Sequence, residues 1–388
     1  MTRLGSEKSR QARDLLQPGE LWLFLTQEGS DPAVRLVFDA GVSGAAAFLL
    51  TPEHGALALV ANYDEGHVSR LDVFDAVRSY ERSFTEGLQG WLRELAPTSV
   101  LVNYSQTDHL CDGLSHGQFL TVRSVVAAAL GAAPLRSSQE PLTRVRGAKS
   151  AEERRRLRTA IDGSVELYDR LRETLAAGQS EREIQARMVG IAGDLGLQPD
   201  LGDYGGPLVL INRVGLAHRG PGEDRLQPGD ILVLDHGLAC DGYYSDVART
   251  IYLRRTGEDT APDDTQRAFR SAYEAISAAY QAIRPGRLGW EVDAAARQVH
   301  LANGYPEISH ATGHQIGRAV HDGGAMLAPR WERYGDGPDL ALEEHQVFTL
   351  EPTILQSPAP SMLIEENVEV TAGGARWLTR RQDELWCV

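Results

Sequence analysis

Residues Ile231 to Leu253 read ILVLDHGLACDGYYSDVARTIYL. Two apolar runs flank Asp241-Gly242, a strong signal for a two-residue hairpin loop, because both central positions of such a turn favour a positive φ. With those residues as the loop, Cys240 faces Tyr243 and Asp246 faces Gly237. Asp235 lies two residues along from Gly237, so Asp235 and Asp246 project diagonally from one face. Two like charges on a half-buried sheet repel each other and are costly to desolvate. A shared cation removes both problems. For this hairpin alone, two solvent-facing aspartates are the alternative.

A second hairpin is read between His345 and Thr371. Val347 to Leu355 and Met362 to Val370 are expected as strands around Gln356 to Pro360. If Leu355 faces Ser361, Glu351 lies opposite Glu365. A slip of one residue would separate them. Both glutamates sit in apolar runs, TLEPTIL and LIEEN, where an ionised group needs a partner.

Between the hairpins lie His310-Ala311-Thr312-Gly313-His314-Gln315-Ile316-Gly317 and Val320-His321-Asp322-Gly323-Gly324. The glycines let backbone approach a ligand closely. One histidine alone would read as structural; His310, His314 and His321 within twelve residues read as a site.

The pooled set is Asp235, Asp246, Glu351, Glu365 and His314. Four negative charges match two divalent cations, which can polarise a carbonyl and ionise a water. Oxygen-rich donors favour harder metals, so manganese is the first choice, with zinc, cobalt or iron as alternatives.

Outward from this set, Ser150-Ala151-Glu152-Glu153 and Ser180-Glu181-Arg182-Glu183 fit capping boxes. Ile184, Met188 and Ile191 follow at helical spacing. A helical stretch from about Gln266 to Ile283 stops at Pro285-Gly286, and another helix begins near Trp290. The second half thus reads helix, helix, hairpin, twice over. The first half alternates strands (Leu21 to Thr26, Ala45 to Thr51, Ala56 to Ala61, Val100 to Tyr104) with helix, including one from Leu71 to Leu95. Pro52 to Gly55 is a turn. Ser137 to Pro141 reads as a linker. The expected division is an α/β domain over 1–140 and an α+β domain over 141–388.

Bulk composition narrows the function. The chain has 388 residues, 42% hydrophobic and 24% charged, with net charge −15. That excess of carboxylates repels nucleic acid and anionic lipid, so neither is an expected partner. The three cysteines, Cys111, Cys240 and Cys387, form no Cys-x-x-Cys pair, and reduced thiols in a cytoplasm are the simple reading. The N-terminus lacks an apolar signal core, and no apolar run approaches a membrane span.

The pieces LDHG with YSDVART, GHQIG, VHDGG, FTLEP and LIEEN, in that order, resemble the pita-bread metallopeptidases. These comprise methionine aminopeptidase, aminopeptidase P and prolidase, with creatinase as a metal-free relative. The interval of eleven between Asp235 and Asp246 also matches. The resemblance covers roughly 141–388 and implies a pita-bread catalytic domain of the creatinase/aminopeptidase type. By position and size alone, the first half is similar to the creatinase-like domain that precedes it in prolidase and aminopeptidase P.

The resemblance also implies roles. Asp235 would give two oxygens to one metal, Asp246 and Glu365 would bridge, and His314 and Glu351 would hold the other. Glu351 would double as general base. His218, His310 and His321 would be active-site histidines, with His218 and His321 near substrate. The expected activity is hydrolysis of short peptides, of the Xaa-Pro dipeptidase or Xaa-Pro aminopeptidase type, by a homodimer.

Two positions depart from the pattern. Leu363 stands where prolidase and aminopeptidase P carry an arginine, and Ala248 replaces a threonine. Arg330 and Arg333 offer an alternative contact for a substrate carboxylate, or are solvated surface groups. Non-proline or carboxypeptidase specificity therefore stays open. So do a creatinase-like hydrolase and a non-catalytic binding protein of the same fold.

Overall fold

The computed structural model describes residues 3–202, 204–216, 219–356 and 360–388. The chain divides into two compact units, Met1–Arg146 and Gly147–Val388. No helix among the described residues is long and apolar enough to cross a membrane.

In the first unit, alternation of side chains builds a two-faced sheet. Along Glu20–Gln27, Trp22 and Phe24 enter one core with Phe38 and Phe48. Leu21, Leu23 and Leu25 enter the other with Leu49, Trp91 and Val100. Across the sheet the strands run Ala76–Tyr80, Gly55–Ala61, Ala45–Thr51, Glu20–Gln27, Ser99–Val102 and Leu135–Ser137. The central three are antiparallel, with Pro52 to Gly55 turning between two of them, and the outer pairings are parallel.

Two expectations for this unit fail. The stretch Leu71 to Leu95 is not one helix: Ala76–Tyr80 is an edge strand, and a separate helix, Phe84–Leu95, starts at the Ser83 N-cap. Asp72 has φ 54°, which a helix interior does not allow. Nor is Ser137 to Pro141 a free linker. Leu135–Ser137 pairs with Ser99–Val102, and the helix Gln139–Gly147 begins directly after it. The division between units falls after Arg146, beyond that stretch.

The second unit opens on a capping box. The Ser150 hydroxyl accepts from Glu153 N, and Glu153 reaches back to Ser150 N, starting the helix Ala151–Arg172. Ser180 and Glu183 repeat this for Glu181–Asp194. Those helices cover one face of a sheet ordered Trp386–Cys387, Val247–Tyr252, Ile231–His236, Leu208–Ile211. The second round is Asp263–Ala282, Gly289–Ala302 and a sheet of Val347–Leu350, Glu366–Thr371 and Gly374–Trp377.

The two hairpins are joined directly. The Asn367 side chain donates to Asp246 O at 2.5 Å and accepts from Asp246 N at 3.5 Å. Glu365 N donates to Ala248 O at 3.1 Å.

Candidate metal centre

The first hairpin takes the register read from Asp241-Gly242. Cys240 pairs with Tyr243, and Asp241 and Gly242 have φ of 48° and 75°. The same register continues through Ser245 N to Leu238 O at 2.9 Å and on to Asp235 opposite Ala248. The two long strands expected are instead four short ones, broken around Gly237 and Ser245. A Cβ on Gly237 would lie 2.5 Å from Ser245 O, so the ladder closes there only with glycine. Asp235 is flanked by Ala248 on one neighbouring strand and Leu208 on the other.

The second hairpin also keeps its register, with Leu350 opposite Glu366 and an isolated bridge from Ile354 to Met362. Its strands are shorter than expected, because the ladder opens at the glutamates. Glu351 N turns aside to Thr312 O at 2.8 Å, and Glu365 N to Ala248 O. Pro352 has no N–H to continue the pairing. Around Glu365, Met362 and Ile364 are buried in the core. Leu363 and Glu365 alternate with them, to the other side.

His314 is brought in along the edge of that hairpin. Thr349 N donates to His314 O at 2.9 Å, and His314 N donates to Thr349 Oγ1 at 3.1 Å. A Cβ on Gly313 would lie 2.0 Å from Thr349 O, so glycine permits the approach. Nδ1 of His314 donates to Gln315 O at 3.2 Å, which leaves the Nε2 lone pair available as a donor to metal.

These segments converge. His314 Nε2 is 3.5 Å from Asp246 Oδ2 and 3.5 Å from Glu351 Oε1. One donor atom each from Asp246, His314 and Glu365 lie within 4.8 Å of one another. Asp235 stands outside that triad, but its charge acts on Asp246, Glu351 and Glu365. Burial, and then the neighbouring carboxylates, push the carboxyls of Asp246, Glu351 and Glu365 well above their ordinary range. Burial pushes His314 down to about 3, so its imidazole is neutral. Acids this close, facing a neutral imidazole, match the donor set of a divalent-cation site.

The other candidates fall in several places. His321 lies against His314, ring centroids 4.2 Å apart and planes tilted by 42°. His310 Nδ1 donates to Ala311 O at 2.7 Å, and its own carbonyl accepts from Arg297. Arg330 is paired with Asp339 and lies over the Trp290 ring. Arg333 donates to Ser309 O and stacks on Trp331 and Tyr334. Both arginines are thus engaged, partly by neighbours in their own loop and partly by Trp290 and Ser309 outside it. His218 lies outside the described residues.

Residues 155–372 match metallopeptidase family M24. The chain belongs to that family. Membership implies divalent metal ions. The chain is 29% identical to the Xaa-Pro dipeptidase of Pyrococcus furiosus over 215 residues, 55% of this chain and 57% of that protein. It thus spans somewhat over half the length of that relative. It is 31% identical to a putative dipeptidase of Bacillus subtilis, YkvY, over 66% of this chain and 67% of that one. Its fold is that of the Xaa-Pro dipeptidase structure from Bacillus anthracis. That comparison gives a TM-score of 0.77 and 21% identity, over 99% of this chain and 100% of that one.

Around this M24 centre, the structure adds residues that sequence reading missed. Asp200 adds its charge to Asp246. Thr349 is a hydrogen-bond partner of Glu351 as well as of His314. Arg249 is 1% exposed and pairs with the buried Glu366 at 3.2 Å. It also donates to the carbonyls of Ala248 and Glu365, both at 2.9 Å. Arg297 pairs with Asp293 and donates to His310 O, while Asp293 accepts from Thr312 N and Oγ1. Arg249 reaches Glu365 and Glu366 from more than a hundred residues away, and Asp293 reaches Thr312 from nineteen, so no local motif announces those contacts.

Proposed function

We propose that this chain is a dinuclear-metal exopeptidase that hydrolyses short peptides, of the Xaa-Pro dipeptidase or Xaa-Pro aminopeptidase type. One observation carries the reading: buried carboxylates from both hairpins converge on the neutral imidazole of His314. The Pyrococcus furiosus relative is an Xaa-Pro dipeptidase, which supports the substrate class.

Asp235, Asp246, His314, Glu351 and Glu365 would hold the two ions. Manganese is the first choice, with zinc, cobalt or iron as alternatives. The chemistry such a pair supplies is Lewis acidity toward a carbonyl oxygen and acidification of water. The protein's own groups do the rest. Glu351 takes the proton of the attacking water. The imidazoles of His310 and His321 face the developing oxyanion or return a proton to the leaving amine. His218 is proposed as a further substrate contact from the resemblance alone. We place the enzyme in the cytoplasm, where its three free cysteines fit a reducing compartment. A homodimer is carried over from the resemblance and is read by light scattering.

The test is metal analysis combined with hydrolysis of Xaa-Pro dipeptides and tripeptides with manganese added. Activity that survives stringent metal removal would overturn the reading. A second reading, broader than proline, is favoured by Leu363. It packs, half-buried, against Leu210, Ile231, Val233 and Tyr252, and supplies no cation where prolidase and aminopeptidase P carry one. Arg330 and Arg333 would then be the candidates for holding a free C-terminus. Blocking the peptide N-terminus should abolish an aminopeptidase; amidating the C-terminus should abolish an enzyme that anchors a carboxylate.

A further inference from the structure

The loop bearing His321 is held from within by a buried ion pair. Lys149 Nζ donates to Asp322 Oδ2 at 2.7 Å, with the two side chains 0% and 1% exposed. Asp322 follows His321 directly, and the two divide their roles. Asp322 is buried, while His321 is exposed and its ring lies tilted against His314. Asp322 N donates to Gln315 O at 2.8 Å, and Asp322 Oδ1 accepts from Ala319 N at 3.3 Å. Both ends of the loop are therefore fixed through Asp322.

The pair packs directly against the backbone of Gly317. A Cβ on Gly317 would lie 2.0 Å from Asp322 Oδ2 and 2.9 Å from Lys149 Nζ. The lysine is itself fixed. Its backbone N–H donates to His345 O at 3.0 Å, and the next residue, Ser150, caps the helix Ala151–Arg172. Burying two charges is costly, and an apolar pair of similar volume would serve stability as well or better. What an apolar pair would not supply is direction: the ammonium fixes one carboxylate oxygen, and with it the residue beside it.

We propose that Lys149 is a positioning residue for peptide hydrolysis, acting through Asp322 to set the His321 ring over His314. This rests on the function proposed above and on His321 meeting the substrate.

Lys149→Met alone leaves the buried Asp322 carboxylate without its ammonium and is expected to lower the melting temperature sharply. The decisive variant is therefore Lys149→Met/Asp322→Leu, which removes both members of the pair together. It is expected to melt within about 5 °C of the parent and to bind the same metal per chain. It should lose roughly 10- to 100-fold in kcat, with a smaller change in KM. Adding His321→Ala to that background should cost little more, because the ring is already misplaced. Long-range ¹H–¹⁵N imidazole spectra read the ring without relying on activity, and His321 resonances should shift in the double variant. Parental kcat with unmoved resonances would overturn the proposal and make the pair purely structural. Moved resonances with parental kcat would also overturn it, and would fault the role of His321 rather than the geometry. A parent chain without peptidase activity would overturn it by faulting the proposed function.

Discussion

Buried acids occur in both compact units, and their surroundings differ. In the first unit, Asp31 is 1% exposed and surrounded by donors. It caps the helix Pro32–Phe38 by accepting from Ala33 N at 2.9 Å, and it accepts from Asn103 Nδ2 at 2.6 Å. Asn103 is oriented in turn by Trp22 and Ser138, both donating to its Oδ1. In the second unit, Asp246, Glu351 and Glu365 have other acids for neighbours, Asp235 among them, and burial together with those neighbouring charges raises their proton affinity. A carboxylate among donors holds a fold together. Carboxylates facing one another stay ionised only with a cation among them. A third arrangement lies beside the second: Glu366, Asp322 and Asp293 are each paired with a buried cation. Each of those pairs braces a segment that carries a candidate site residue.

The sharpest way to break this comparison is to neutralise one acid of each kind. Glu351→Gln or Asp246→Asn should lower kcat on a peptide substrate by on the order of 10³-fold or more. Asp31→Asn should leave kcat within about twofold. Similar losses in all three variants, measured at equal metal occupancy, would mean that the two kinds of acid do not differ in function.

The bracing acids come next. Arg249→Met strands Glu366 in the core, and breaking such a pair costs about 3–5 kcal/mol. It also removes the donor to the carbonyls of Ala248 and Glu365. Denaturant unfolding should show the loss, and Arg249→Met/Glu366→Leu should recover most of the stability. If the single variant is as stable as its parent, the pair is not a brace.

The facing acids also fix the sign of a pH effect. Their folded pKa values lie above the unfolded ones, so the native metal-free state holds protons that the unfolded state releases. Stability then falls as pH rises above about 4. His314 acts in the opposite sense. Depressed to about 3, it adds stability as pH rises toward about 6.5 and nothing beyond. Above that point, a falling melting temperature in metal-free protein reports the acids. Saturating divalent metal should abolish the fall, because binding replaces the protons. A flat profile in chelator would mean that these carboxyls are not raised.

How much of this was legible in the sequence depends on how local the deciding interaction is. Asp241-Gly242 fixes a turn, and the turn fixes which residues face across it, so the diagonal of Asp235 and Asp246 follows from a few neighbours. The second hairpin was harder. Its register was right, but its strands stop at Glu351 and Glu365 because those amides bond to Thr312 and Ala248, residues that only the folded chain brings near. The capping boxes at Ser150 and Ser180 are local and were readable. The edge strand Ala76–Tyr80 was not, since its pairing with Gly55–Ala61 is a crossover contact. Lys149 with Asp322, and Arg249 with Glu366, leave no trace in sequence, because nothing local says which residue of one stretch meets which residue of the other.

The smallest expected effect tests the first kind of acid by itself. Burial raises Asp31 to about 6 against the opposing pull of its donors. Its folded value exceeds the unfolded one, so its contribution to stability is present below about 4 and is lost as pH rises through 6. Asn at this position cannot ionise, but its amide would meet Asn103 Nδ2 donor to donor. Asn103 cannot turn to relieve this without losing Trp22 and Ser138. The lost bond costs about 1 kcal/mol, and removing the buried charge above pH 6 offsets it. The melting temperature near neutrality should therefore change little. What should change is the slope: between pH 4 and 6 the parent should lose stability relative to Asp31→Asn. If parent and variant stay parallel across that range, Asp31 is not held up by burial. The contrast between an acid among donors and acids among acids would then rest on the second unit alone.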